Sequence, residues 1–363
     1  MSHPLPLQKY SFLLTLLTWY RASKRSLPWR NIVDPYKIWV SEIMLQQTTV
    51  KAVIPFYQKW IQRFPTLESL AKAPLQDILK TWEGLGYYQR ARNMHRAAKI
   101  MRQDHHACIP SDHASLIKLP GFGPYTTAAV LSLAFDQPYS VLDANVRRIM
   151  VRLLRIKKTD GSNLDKRLSR KLHLLIPEKG SGEFNQALME LGALICKPHS
   201  PSCLLCPVWT FCQAYHTGEQ EIIPSPKKRK FEKIEAVVGI IQDRGKYLIQ
   251  KRPSKGLLAG LWEFPGGKRN KGETLEYALA REIKEELDAE IQTASYLTRV
   301  THAYTRFQVV LHAYTCILKD TPRLQEDRYR WITLNGFKRY PLPSGSVKIV
   351  RYLEEKKKKT TPE

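Results

Sequence analysis

Apolar residues recur at helical spacing through the first part of the chain. "YKIWVSEIMLQQ", "VKAVIPFYQKWIQRF", "ARNMHRAAKIMRQ", "YTTAAVLSLAF" and "FNQALMELGALIC" each repeat them every three to four residues, the pattern of helices with one buried face. Breakers at Pro65, Pro74, Gly84, Gly86, Pro110, Pro120 and Pro138 separate these segments. Residues 1–217 are predicted to form an all-α domain. "IIPSPKKRKFEK" interrupts the pattern with prolines and charge, so residues 218–233 read as a linker. From 234 the texture becomes strand-like. "EAVVGIIQ" and "KYLIQKR" are short apolar runs joined by "DRG", a hairpin signal. "TLEYALAREIKEEL" reads as one helix, and "FQVVLHAYTCIL" and "YRWITL" as further strands. Residues 234–354 are thus expected to be an α+β domain, followed by a disordered basic tail over 355–363. The fold class is multidomain, all-α then α+β.

Charge narrows the partner. The 363 residues hold 58 Lys plus Arg against 33 Asp plus Glu, a net charge of +25. Such a surface attracts phosphate backbones, so nucleic acid is expected. No apolar run approaches the roughly 20 residues of a membrane span. The apolar N-terminal stretch carries Tyr and Trp and lacks a signal peptide's charged start and cleavage site. A cytoplasmic, monomeric protein is expected, nucleoid-associated in a bacterium, with its six cysteines reduced.

Four of those cysteines, Cys196, Cys203, Cys206 and Cys212, follow the spacing C-x6-C-x2-C-x5-C. Four thiolates suit zinc or a four-iron–four-sulfur cluster, and generic chemistry leaves both open. Cys108 and Cys316 stand alone. "LPGFGPYTTAA" holds Gly121 and Gly123 in a turn between apolar segments, within about 116–131. Free N–H groups at the following helix start can hold a phosphate. Glu42 lies among Val40, Ile43 and Met44, neighbours that raise a carboxyl's pKa and favour a general acid. The same string also fits a helix-start Glu behind Ser41 as cap. "GGKRNKGETLEYALAREIKEELDAE" crowds seven carboxylates together. On its helix Glu282, Glu285 and Glu286 share one face, oxygen ligands suited to Mg2+ beside a diphosphate. A solvated charged helix is the plainer alternative.

The cysteine spacing matches the iron–sulfur loop of the endonuclease III and MutY families, which implies a 4Fe–4S cluster over residues 196–212. "LPGFG" with "VLDANVRR" some twenty residues on resembles the helix-hairpin-helix glycosylase superfamily, whose essential aspartate falls on Asp143. "SLPWR", "GLGYYQRARN" and the Glu42 segment are similar to the MutY family of adenine DNA glycosylases, and this resemblance spans nearly the whole chain. It implies double-stranded DNA as partner and base excision of adenine opposite 8-oxoguanine or guanine. Glu42 would protonate adenine N7 and Asp143 would stabilise the sugar cation, supported by Tyr125 and Asn145. Related lyases carry a lysine where Tyr125 stands, and a phenol cannot form their imine. Trp29, Arg25, Arg30 and Gln186 would line the adenine pocket. Gln47, Thr48, Leu85 and Tyr87 would meet the opposite strand, with Tyr87 as a wedge between bases.

The acidic stretch resembles a Nudix box, although Asp288 replaces its final glycine. The resemblance implies a C-terminal domain that reads 8-oxoguanine through Tyr304, Thr305 and Arg306. A second implied function is a Mg2+-dependent Nudix hydrolase acting on oxidised nucleoside triphosphates such as 8-oxo-dGTP.

Overall fold

A computed structural model describes residues 6–158, 163–225, 232–256, 258–304, 307–322 and 324–360. These residues divide into two compact units, one of residues 1–72 and 93–228, the other of 73–92 and 229–363.

The first unit is helical. In chain order its helices are α1 (Pro6–Ser23), α2 (Pro35–Leu45), α3 (Val50–Arg63) and α4 (Leu67–Lys72). The short helix α5 (Leu75–Thr81) belongs to the other unit, and α6 (Gln89–Asp104) leads back. Then come α7 (His113–Leu116), α8 (Pro124–Phe135), α9 (Ala144–Leu153), α10 (Leu164–Leu175), α11 (Ser181–Leu194) and α12 (Gln213–His216). Leu16, Val146, Leu168, Phe184 and Leu188 from α1, α9, α10 and α11 form one shared core. Glycines let α11 pack closely. A Cβ at Gly182 would meet the Ser132 carbonyl oxygen at 2.6 Å, and one at Gly192 would meet Asn145 Cβ at 2.6 Å. Such overpacking costs about 1–3 kcal/mol. Gly192→Ala is therefore expected to lower the thermal midpoint, because Asn145 must shift. An unchanged melting curve would contradict this contact.

The second unit is α+β. Its strands are β1 (Glu232–Asp243), β2 (Lys246–Lys251), β3 (Trp262–Glu263), β4 (Gly266–Lys268), β5 (Ile291–Tyr304), β6 (Phe307–Leu318) and β7 (Tyr329–Thr333), with helices α13 (Leu275–Leu287) and α14 (Ser344–Thr360). The sheet order is β3-β2-β1-β6-β5, with β4 on β1 and β7 on β2. Strand alternation feeds two cores. Val237 and Ile241 pack with Leu279 and Ile283 of α13, whereas Val238 and Ile240 pack with Ile349 and Leu353 of α14.

Two expectations change, and one strand was not anticipated. The segment 73–92 does not stay with the helices flanking it in sequence. Lys80 Nζ donates to the carbonyls of Phe337 and Tyr340 at 3.2 and 2.9 Å, and Tyr88 Oη donates to Leu342 O at 2.9 Å. The tail expected to be disordered from 355 instead continues α14 to Thr360. Leu353 anchors that helix in the core, and lysines in its last turn suit the negative end of its dipole. Strand β5 carried no apolar signal strong enough to announce it. It is a sheet edge, and Gln292 through Tyr296 are exposed. Among the described residues no helix is long and apolar enough to cross a membrane.

Candidate active site

Asp34 caps α2 by accepting from the N–H groups of Tyr36 and Lys37, with Pro35 in the first turn. The helix therefore starts at Pro35, well before Ser41, which cannot be its cap. Ser41 Oγ instead donates to Ile38 O at 2.8 Å within the helix. This removes the helix-start explanation of Glu42. Its side chain is in the interior, 5% exposed. Tyr125 Oη donates to Glu42 Oε2 at 2.6 Å. Burial pushes the Glu42 carboxyl up to about 7, the Tyr125 hydrogen bond opposes this, and the Asp143 charge adds to it. Burial also holds the Tyr125 phenol well above its usual range, so it remains a donor.

Tyr125 reaches this position through the turn before α8. Gly121 has φ +85°, a left-handed conformation that glycine adopts without strain. Gly123 caps α8 and Pro124 occupies its first turn, where a missing N–H is harmless.

Asp143 is the cap of α9, accepting from Val146 N–H at 2.7 Å through Oδ1 and from Asn145 Nδ2 at 2.9 Å through Oδ2. Burial pushes its carboxyl up, and those hydrogen bonds and the Arg148 charge restrain the rise. Arg148 holds Asn145 in turn, donating to Asn145 Oδ1 at 2.9 Å, Gly192 O at 2.8 Å and Cys196 O at 2.7 Å.

A cavity of about 730 Å³ brings Glu42, Tyr125, Asp143 and Asn145 together. Arg25, Trp29, Arg30, Gln47, Thr48 and Gln186 line it as well. Trp29 is buried edge-on against Tyr57, ring centres 5.2 Å apart. Gln47 takes φ +56° in the turn leaving α2. Leu85 and Tyr87 do not line this cavity; they lie in the 73–92 segment of the other unit. Tyr87 has φ +49°, with the Arg90 guanidinium 5.4 Å over its ring.

Sequence reasoning missed Glu190. It is 1% exposed at the side chain and bracketed by Arg25 Nε at 2.8 Å and Arg30 Nη2 at 2.6 Å. Burial pushes its carboxyl up, but the Arg25 hydrogen bonds and the Arg30 charge outweigh this and keep it ionised below the usual range. Its spacing of four from Gln186 on α11 put both on one face, a signal that was available. Arg30 Nη1 is buried without an acceptor among the described residues. The cavity wall is thus backed by a buried ion-pair bracket with one unpaired donor.

The four cysteines surround a separate small cavity of about 30 Å³, bordered by Arg152. Cys203 opens a 3₁₀ turn, Cys203–Leu205, that Cys206 follows, and Cys212 precedes α12. Arg152 Nη1 lies 3.2 Å from Cys196 Sγ and donates to Lys197 O at 2.7 Å. Burial, with repulsion from the other cysteines, pushes the Cys206 thiol up to about 12. Four thiolates are the donor type that a thiolate-bound metal group takes, although among the described residues no three of these side chains converge on one point. Cys108 is exposed and Cys316 buried.

In the second unit the carboxylates of α13 share a face, yet they do not form the expected Mg2+ site. Among the described residues no three His, Cys, Asp or Glu side chains converge on one ion. Arg281 takes Glu282 at 2.9 Å, Glu285 at 3.3 Å and Glu273 at 2.8 Å. Glu286 turns inward to Gly266 N–H at 2.7 Å and Gln250 Nε2 at 2.6 Å. Gly267 is close-packed against Glu282: a Cβ there would lie 2.3 Å from Oε2. Tyr304 pairs through its backbone with Phe307 at the hairpin of β5 and β6, whereas Thr305 and Arg306 lie outside the described residues.

Known proteins resemble both halves. Residues 40–178 match the HhH-GPD superfamily of base excision DNA repair proteins, and residues 236–352 match the NUDIX domain. The adenine DNA glycosylase of Buchnera aphidicola subsp. Baizongia pistaciae is 33% identical over 348 residues, 95% of this chain and 97% of that protein. The Homo sapiens adenine DNA glycosylase is 31% identical over 401 residues, 94% of this chain and 73% of its own length. A thermostable thymine-DNA glycosylase structure superposes with a TM-score of 0.52 at 31% identity, covering 58% of this chain and 97% of that one.

Proposed function

The chain belongs to the MutY-type adenine DNA glycosylases, hydrolases of base excision repair with an HhH-GPD domain and a C-terminal NUDIX domain, and from that premise we propose that it releases adenine paired with 8-oxoguanine or guanine and leaves the strand uncut. The carrying observation is the pair of carboxylates in one cavity, Glu42 buried with its carboxyl raised to about 7 and half-buried Asp143 held by hydrogen bonds to its anion. Burial raises both carboxyls, but only Asp143 has hydrogen bonds from Val146 N–H and Asn145 and the Arg148 charge to favour its anion, and such a pair can divide acid and anion roles. Adenine flips out of the stack into the cavity. Glu42 gives its proton to N7, which makes adenine a neutral leaving group. Asp143 stabilises the cationic sugar, as in glycoside hydrolysis. Asn145 keeps the aspartate oriented, and water completes the cleavage.

Among the described residues no lysine lines the cavity, which supports hydrolysis without an imine. Cys196, Cys203, Cys206 and Cys212 would hold a 4Fe–4S cluster that braces the loop after α11. Gly121 and Gly123 would seat a backbone phosphate at the start of α8. Leu85 and Tyr87 would meet the opposite strand, and Tyr304, Thr305 and Arg306 would read the oxidised base. The Arg281 network on α13 favours a reading role for the second unit over nucleotide hydrolysis.

The test offers duplexes with adenine opposite 8-oxoguanine, guanine, cytosine or thymine. Products are resolved with and without alkali. Release opposite 8-oxoguanine and guanine is expected, with breaks only after alkali. Equal release opposite thymine would refute the mispair preference, and breaks without alkali would refute hydrolysis.

A further inference from the structure

Tyr20 is a buried polar side chain beside the cavity that the mechanism above leaves unused. It sits towards the end of α1 and is 2% exposed. Its Oη donates to Gln186 Oε1 at 2.7 Å across 166 residues of sequence. Neither side chain has another hydrogen-bond partner among the described residues. Arg30, which also grips Glu190, lies 5.3 Å over the Tyr20 ring.

The chemistry of the pair sets a direction. Burial pushes the Tyr20 phenol up to about 12, so it carries its proton. A phenol proton needs an acceptor, and a carboxamide accepts only at oxygen. Turning the amide round would place Nε2–H against the phenol oxygen and strand the phenol proton in the interior, which is unfavourable. Gln186 lines the cavity. With Oε1 committed to Tyr20, Nε2 is the group left to donate towards a bound base.

We propose that Tyr20 is a positioning residue that fixes Gln186 as a hydrogen-bond donor, so that the pocket selects a base with a ring-nitrogen acceptor at that edge. The proposal rests on the reading of this cavity as the adenine pocket. Adenine offers N1, N3 and N7 as acceptors, and N7 is the atom that Glu42 protonates. N1 or N3 is therefore the atom read by Gln186.

The test is a double-mutant cycle in the full chain: Tyr20→Phe, Gln186→Ala and both together. Single-turnover release is measured for adenine, 1-deazaadenine and 3-deazaadenine opposite 8-oxoguanine. Gln186→Ala is expected to slow adenine release by about tenfold, the worth of one hydrogen bond. Tyr20→Phe slows it by no more than that, and the double variant is no slower than Gln186→Ala. One deaza-analogue, lacking the nitrogen that is read, shows no further loss in any variant. Effects that multiply, or wild-type behaviour of Tyr20→Phe beside a slow Gln186→Ala, overturn the proposal alone. Wild-type behaviour of Gln186→Ala overturns the proposal together with the place of Gln186 in the adenine pocket. Should Tyr20→Phe fail to fold, Gln186→Glu replaces it. That variant still accepts from Tyr20 but presents an oxygen in place of the donor, so a loss of at least about tenfold is expected and wild-type turnover refutes the donor assignment.

Discussion

Glu42→Gln is expected to slow single-turnover adenine release about 10²–10⁴-fold, the usual contribution of a positioned general acid. The amide is nearly isosteric and can still accept from Tyr125, so duplex binding should persist. The pH profile carries the same information. With the carboxyl near 7 because burial disfavours its charge, the proton is present below about pH 7 and absent above it. Wild-type release should then fall about tenfold per pH unit on the alkaline side, and the variant should lose that limb. Stability moves in the matching direction. The folded-state pKa lies above the unfolded one, so Glu42's contribution is full below pH 4.5 and is lost as pH rises through 7. Glu42→Gln should therefore be more stable than the wild type at pH 9, by up to about 3 kcal/mol. A variant that turns over like the wild type, or a flat profile between pH 6 and 9, would remove Glu42 from the mechanism.

Asp143→Asn should be nearly as damaging to the rate, about 10³-fold for a lost anion facing a developing cation, with little effect on folding. Asn caps helices as well as Asp does, so Val146 N–H keeps its acceptor. Asp143→Ala separates the two duties, because it removes the charge and the cap together. That variant should lose about 1 kcal/mol of stability beyond the asparagine form. Urea unfolding of both variants beside single-turnover rates checks this. Equal stability of the two would mean that the Val146 hydrogen bond contributes nothing. A rate for Asp143→Asn within tenfold of wild type would mean that the anion is not used.

Much of this chain can be read locally. Short apolar runs and "DRG" marked β1 and β2, and β6 falls on the expected run Phe307–Leu318. The periodic helices around Glu42, Tyr125 and Gln186 stand where the pattern put them, because one buried face repeats every three or four residues. The cysteine spacing and the two catalytic candidates were likewise carried by short strings. Edge strand β5 and helix α14 were not announced, one lacking a strong apolar alternation and the other ending in lysines that resembled a tail.

Residue order by itself determined which side chains are available and on which face of which element they stand. It did not determine their chemical state. Whether Glu42 is a surface carboxylate or a proton carrier depends on the elements that enclose it and on Tyr125, 83 residues away. The Arg25–Glu190–Arg30 bracket closes over 160 and 165 residues, and no periodicity records such a pairing. On α13 the spacing promised converging carboxylates, but Arg281 and Gly266 N–H draw them apart. Tertiary structure decided these points because burial and charge pairing depend on distance through space, whereas helix and strand patterns depend on neighbours along the chain.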